Sequence, residues 1–300
     1  MALAPVILFG YNRPDLFKVT IDSLKANGLA NYTDLYIFID GPRNDADVPK
    51  VQEVRRLAEE AEGFSSKIVS VSDTNHGLAK SIIAGTTEII NKYGRVIVLE
   101  DDLFLSPGFL TFMNTMLDAY EADDRVFQIS GFGTKVKVPN GYTCDYYLNT
   151  RAQSWSWATW KDRWNSVDWE ARDYEEFAGD KAQRRIFRKS GSDLLDAIEG
   201  YKYRRSDIWF ICFTYNMFRQ GKYSINPIRS LVRNDGFRAD AVHTRNYNRY
   251  KIDFNDSIQD YPVPQTIEWN AEINKSAVKY WQVRYRMYGK IMTVLKRIVK

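Results

Sequence analysis

The sequence predicts an α/β protein, a mostly parallel sheet with flanking helices, on three observations. Short β-rich runs alternate with helix-period segments through the first 121 residues, the rhythm of βαβ units. Each β-rich run ends in a group of polar residues. Neither a low-complexity linker nor a repeat of fixed period interrupts the chain, so the second half is expected to continue the first.

PVILFGY (5–11) opens the sheet and leads into a helix over 14–28, with Pro14 at a first helical position, where a missing N–H costs nothing. DLYIFID (34–40) precedes a helix over 48–62, in which Val51, Val54, Leu57, Ala58 and Ala61 trace one apolar stripe. KIVSVSD (67–73) precedes 77–92, and RVIVLED (95–101) precedes 107–121. Right-handed crossovers place these four strands in one sheet. Ligands bind outside the carboxyl ends of such strands. Those ends carry YNR (11–13), DGPRND (40–45), DTNHG (73–77) and EDD (100–102). Past about residue 145 the rhythm changes, and five of the eight tryptophans fall in SWSWATWKDRWNSVDW (154–169), before a charged helical stretch near 173–200. The expected organisation is an α/β half over 1–145, a smaller α+β part over 146–274 continuous with it, and a basic amphipathic C-terminal helix over 275–300.

With 300 residues, 44% hydrophobic and 14% aromatic, the chain can bury an enzyme-sized core. Its two cysteines, Cys144 and Cys212, form no CxxC and encode neither a zinc knuckle nor a disulfide framework, which favours a reducing compartment. The opening MALAPVILFGYNRP leaves no room for a charged segment, an apolar stretch and a cleavage site, so a cytoplasmic protein is expected. No apolar run approaches the roughly 20 residues that span a bilayer. The net charge of +4 conceals an asymmetry: residues 275–300 hold eight Lys/Arg and no acid, leaving the remainder net acidic. That argues against nucleic acid as a partner. GLAKS (77–81) imitates the end of a phosphate-binding loop but lacks its first glycine, and no GxGxxG follows the first strand. Nicotinamide and P-loop chemistry are therefore disfavoured. With two histidines, a His-rich zinc site is excluded, and carboxylates must supply any metal binding, which suits a hard divalent ion.

Glu100, Asp101 and Asp102 directly follow the apolar run Val96–Leu99. Strand, E-D-D and the SPGF (106–109) that follows resemble the metal motif of GT-A glycosyltransferases, whose fold is Rossmann-like. The likeness is nearest to the N-acetylglucosaminyltransferase I family and its bacterial family-2-like relatives, over most of residues 5–245. The resemblance implies an inverting, metal-dependent transfer from a UDP-sugar donor to a glycan or polyprenyl-linked glycan acceptor. It makes Asp102 the ligand of Mn2+ (or Mg2+) and turns Glu100 and Asp101 to the sugar nucleotide. The YNR element, with Tyr11 and Arg13, and Asp40 become uracil contacts, and His76 a nucleotide-site residue. The physical need is independent of the family: a divalent cation stabilises the charge that develops on a departing nucleoside diphosphate. An Asp that accepts from N3–H also separates uracil from cytosine, which has no such hydrogen.

Trp155, Trp157, Trp160 and Trp164 include helical spacings, so Trp160 and Trp164 are expected in the core. By resemblance, Trp155 or Trp157 lines the acceptor cleft. RRSDIWF (204–210) carries Asp207, which the resemblance makes the catalytic base, although the chain reads Asp207-Ile208-Trp209 where the family keeps its acids adjacent to Trp. Glu170 and Asp173 are the next candidates. VRNDGFRADAVHT (232–244) resembles a loop that closes over the diphosphate through Arg238 and His243. Rival readings are a sugar-1-phosphate nucleotidyltransferase, which should carry a Gly-rich loop where this chain reads FGYNRPDLF, and a non-catalytic carbohydrate-binding protein, which would not need acids at the strand ends.

In the C-terminal segment, Tyr280, Trp281, Tyr285, Tyr288, Ile291, Met292, Leu295, Ile298 and Val299 form an apolar side at broadly helical spacing. Lys279, Arg284, Arg286, Lys290, Lys296, Arg297 and Lys300 supply charge. Such a helix is expected either to lie on an anionic membrane surface, the inner face of the cytoplasmic membrane, or to pack on the domain.

Overall fold

The computed structural model describes residues 2–204, 206, 208–237, 247–264 and 266–298, apart from the side chains of 204 and 296–298. Its first third is the expected alternation: β1 (Val6–Gly10), α1 (Pro14–Lys25), β2 (Asp34–Ile39), α2 (Val48–Glu60), β3 (Ser66–Val71), α3 (Leu78–Tyr93) and β4 (Arg95–Glu100). There follow β5 (Leu103–Leu105), α4 (Phe109–Tyr120), β6 (Val126–Ser130), β7 (Tyr146–Asn149) and β8 (Trp157–Trp160). Eight strands form one sheet in the order β3-β2-β1-β4-β8-β6-β9-β7, where β9 is Tyr223–Pro227. Pairings are parallel except where β8 and β7 meet their neighbours, so six of the eight strands run the same way. A separate antiparallel ribbon joins β5 to β10 (Val232–Asn234).

Strand alternation builds two cores. Val6 and Leu8 of β1, with Ile97 and Leu99 of β4, face α1, α2 and α4 through Phe17, Val54 and Phe112. Ile7, Phe9, Val96 and Val98 face α3 and α9 (Trp209–Arg219) through Ile82, Ile89 and Phe213. Strands buried on both faces lose the polar alternation of a half-exposed sheet. Gly10 ends β1 because a Cβ there would lie 2.7 Å from the Phe17 ring.

The tryptophan segment departs from its helical reading. Trp157–Trp160 is strand β8, so residues 157 and 160, an odd number apart, project to opposite faces, one into each core. Trp160 donates from Nε1 to the Leu117 carbonyl at 3.2 Å. Trp164, on the short helix α5 (Lys161–Asn165), stacks on Trp157 with ring centroids 5.5 Å apart. The charged stretch beyond becomes three short helices, α6 (Tyr174–Gly179), α7 (Lys181–Lys189) and α8 (Leu194–Arg204), whose inner rings Phe177 and Phe187 meet Tyr215 of α9.

The C-terminal segment is not one helix. Following α10 (Ala271–Val278) and a single 3-10 turn, Gln282 is extended with ψ of 157°, and α11 (Val283–Ile298) begins. Tyr280 and Trp281, expected on the apolar side that meets either a membrane or the domain, are buried with Phe132, and the Arg151 guanidinium lies 4.7 Å from the Trp281 ring while pairing with Asp193. The large rings find enclosed partners on the body, which water cannot match. α11 packs by one side only: Gly289 meets Arg249, Tyr288 meets Tyr247, and Thr293 accepts from the Tyr247 N–H at 2.9 Å. Val283, Met287 and Ile291, four positions apart, and Val294 and Leu295, one turn beyond, stand exposed on the other side. Among the described residues no helix is long and apolar enough to cross a membrane.

Candidate active site

The carboxyl ends of β1, β2 and β4 open on a cleft of about 800 Å³, within the range of small-molecule sites. Its acid wall is the EDD triplet. Asp101 and Asp102 are buried, and Glu100 lines the cleft without accepting a hydrogen bond from the described residues. Burial, reinforced by the Asp102 charge, pushes the Glu100 carboxyl up to about 8, against the pull of Arg13. Burial likewise lifts Asp101 to about 6, although Arg13 opposes it.

Arg13 stands at the end of β1, immediately before Pro14. A residue before proline is kept out of the helical region, and Arg13 has φ −123° and ψ 70°. Its guanidinium crosses to the acids: Nη1 donates to Asp102 Oδ2 at 2.9 Å and Nη2 donates to Asp101 Oδ1. The Tyr11 N–H adds a bond to Asp101 Oδ2 at 3.4 Å. Arg13 therefore meets the triplet across the strand ends, at the cleft wall. Tyr11 is tied sideways, donating to Asp47 Oδ2 at 2.6 Å and accepting from Arg43 Nε at 3.0 Å, with its ring at the cleft.

Asp40, at the end of β2, accepts from the N–H groups of Gly41 (3.0 Å) and His76 (2.9 Å) on Oδ1, and from Gly77 (3.0 Å) on Oδ2. It pins the loop that starts α3 to the end of β2. The His76 side chain, exposed, lines the cleft beside it.

Sequence reasoning missed Asn234. It arrives on β10, whose pairing with β5 sets Asn234 opposite Leu103, next to the triplet. Its Nδ2 donates to Asp102 Oδ1 at 3.1 Å, its Oδ1 accepts from Gly236 N–H at 2.8 Å, and Asp235 N–H reaches the Asp102 carbonyl at 2.9 Å. A Cβ on Gly236 would lie 2.4 Å from Asp102 Oδ2. The only sequence signal was the VRN run before Asp-Gly, too short to read as a paired strand.

Trp155 lies in the cleft for a topological reason. β8 is antiparallel to β4 with Trp157 opposite Val98, so the residues before β8 emerge beside the carboxyl end of β4. Trp155 packs edge-on against Phe132, Tyr250 and Phe237, at centroid distances of 4.7, 5.3 and 5.5 Å, and shares the cleft wall with Phe237. Ser156 next to it has φ of +53°, a left-handed conformation in which side-chain-bearing residues are uncommon. Trp157 is corrected: it is buried between Trp164, Trp209 and Phe213 and does not line the cleft, because strand alternation turns it into the core. Asp207, Arg238 and His243 lie outside the described residues. Of the alternative bases, Asp173 accepts from Tyr215 Oη (2.9 Å) and Arg219 Nε (2.6 Å), and neither it nor Glu170 lines the cleft.

The donor set fits a divalent cation. Three carboxyl groups with hard oxygen donors stand around one guanidinium, more acid than a single cation can pair, and Gly236 lets the loop backbone approach Asp102 Oδ2 where a Cβ would clash. Among the described residues no group of three His, Cys, Asp or Glu is placed to hold a metal alone. A Mn2+ or Mg2+ ion bound through one or two carboxylates and substrate phosphates does not require one.

No protein-family profile and no curated protein matches the chain. Among solved structures, the mannosyltransferase PcManGT of Pyrobaculum calidifontis, in complex with GDP-Man and Mn2+, is similar at 13% identity and TM-score 0.41, over 71% of this chain and 73% of that one. TarS of S. aureus is similar at 13% identity and TM-score 0.38, over 75% of this chain but 35% of its own. The galactosyltransferase LgtC is similar at 10% identity and TM-score 0.36, over 58% and 65% of the two chains.

Proposed function

We propose that the chain is an inverting glycosyltransferase that moves a sugar from a UDP-sugar to a glycan or polyprenyl-linked glycan. The observation that carries this reading is the acid-walled cleft at the strand ends, where Asp102 is buttressed by Arg13 and Asn234. In this reading residues 1–145 hold the donor and residues 146–274 supply acceptor contacts and the base. Asp102 holds Mn2+ or Mg2+, which when bound supplies positive charge to the departing diphosphate. Asp207 takes the proton of the acceptor hydroxyl as that oxygen attacks the anomeric carbon, UDP leaves from the opposite face, and no covalent enzyme intermediate forms. Glu100 faces the sugar, Trp155 offers an aromatic edge to the acceptor, and Arg238 and His243 close over the diphosphate.

The hydrogen bonding of Asp40 favours uracil. A carboxylate offers about four acceptor sites, and three backbone N–H groups already use Asp40. One further donor can be accepted. Uracil presents a single N3–H, whereas guanine presents two parallel N–H groups that need both oxygens of a carboxylate.

The remaining partner in this reading is an anionic membrane surface. The exposed apolar side of α11, flanked by Arg284 and Lys290, suits shallow insertion among headgroups, which would bring the cleft to a polyprenyl-linked acceptor. Release of UDP or GDP from a panel of UDP- and GDP-sugars, with and without Mn2+, tests the catalytic reading. Metal-dependent release from a UDP-sugar alone is expected; release from none, with acceptor glycans present, would overturn it.

A further inference from the structure

We propose that Arg13 is the internal counter-ion of the acid wall, holding Asp101 and Asp102 together when the cleft is empty and competing with a divalent cation for Asp102. The inference rests on the metal reading given above. Arg13 is a positioning residue in this account, acting on the site through the two acids.

Three features of the structure carry it. The guanidinium bonds one oxygen of each acid, so a single cation bridges two buried carboxylates that would otherwise repel at close range. The Arg13 side chain is about one-fifth exposed, whereas those of Asp101 and Asp102 are 4% and 10% exposed, so the pair lies behind the guanidinium, which is the group at the cleft surface. Arg13 occupies Oδ2 of Asp102, the oxygen against which the Gly236 backbone packs closely enough that a Cβ would lie 2.4 Å from it. Oδ1 is turned to Asn234. A divalent ion that binds Oδ2 thus competes with the guanidinium for that oxygen.

The chain geometry lets Arg13 serve both states. It is fixed at its backbone by Pro14 but reaches the acids through a long side chain with no other hydrogen-bond partner among the described residues. When an ion takes Oδ2, the guanidinium can keep Asp101 and swing its free edge toward the ligand phosphates, for which its planar fork is suited. A cation already in place lowers the self-repulsion of the empty site. Its persistence beside the metal weakens metal binding.

Calorimetric titration with Mn2+ alone, without nucleotide, tests this on the full-length wild type, Arg13→Gln and Arg13→Lys. Removing one positive charge a few ångströms from the ion should tighten Mn2+ binding by about tenfold in Arg13→Gln. Arg13→Lys, which keeps the charge but can grip only one acid at a time, should fall between. Without metal, Arg13→Gln should melt below the wild type and regain most of the difference in Mn2+. Equal or weaker Mn2+ affinity in a folded Arg13→Gln protein would overturn the inference. If Arg13→Gln does not fold in either condition, Arg13→Lys decides: tighter than wild type supports the counter-ion role, equal or weaker removes it. A wild type that takes no Mn2+ even with UDP would sink the metal reading, and the counter-ion role would then stand or fall on whether Arg13→Gln acquires binding.

Discussion

Asn234 donates from Nδ2 to Oδ1 of Asp102 at 3.1 Å across 132 positions of sequence. That bond orients the carboxylate proposed to hold the metal. Replacing such an outer partner of a metal ligand typically costs 10–100-fold in metal affinity. Asn234→Ala should therefore weaken Mn2+-dependent UDP binding by at least about tenfold, with the far-UV spectrum unchanged. Unaltered affinity by calorimetry would remove Asn234 from the site.

Gly236→Ala probes the space beside Asp102. The added Cβ would fall 2.4 Å from Oδ2, so carboxylate or loop must shift. A misplacement on this scale can cost up to about a hundredfold in rate. We expect transfer to fall at least about tenfold in protein that remains folded at the assay temperature. Activity matching the wild type would show that the loop yields without disturbing Asp102.

The stability of the metal-free protein should fall as pH rises from about 4.5 toward 8. Glu100 is raised from 4.5 to about 8 in the folded state and Asp101 from 3.8 to about 6, chiefly by burial. Between the unfolded and folded values the native protein retains protons that the unfolded chain has released, so stability declines with pH across that window. Melting curves in EDTA from pH 5 to pH 8 should show the decline, and Mn2+ with UDP should flatten it. A melting temperature that rises over the same interval in EDTA would contradict the assignment.

The exposed side of α11 gives a separate prediction. Met287 and Ile291 are 57% and 56% exposed, and in the membrane reading they are side chains that would meet the lipid. Ile291→Glu should abolish flotation with vesicles rich in anionic lipid while sparing transfer to a soluble acceptor, and raised salt should weaken wild-type flotation. Wild-type protein that ignores such vesicles at low salt but dimerises, with Ile291→Glu monomeric, would assign the face to a second copy of the chain.

Much of the first half of the sheet was legible in the sequence because its signals are local. Pro14 marks the start of α1, and the Val51, Val54 and Ala58 stripe is the buried side of α2. The acids at 100–102 do stand at the end of a buried strand and in the cleft. What the sequence did not disclose shares one cause, dependence on distant chain. WATW reads as helical because a strand buried on both faces shows no polar alternation, so only its pairing with β4 and β6 reveals it. Arg13 is local in sequence, yet its partners are 88 and 89 positions away. Tyr280 and Trp281 read as part of an apolar side whose partners, Phe132 and Arg151, are distant in sequence.

The ribbon that delivers Asn234 also has a consequence for biosynthesis. The four βαβ strands are joined through near neighbours, whereas β10 must find β5 across roughly two-fifths of the chain. Loop closure of that length is slow relative to local pairing. A nascent chain can thus lay down its donor-side sheet on the ribosome while Asp102 still lacks its distant amide, and the cleft matures only after the ribbon zips. Recovery of metal affinity during refolding should lag recovery of secondary structure, making the ion a reporter of the last step of assembly.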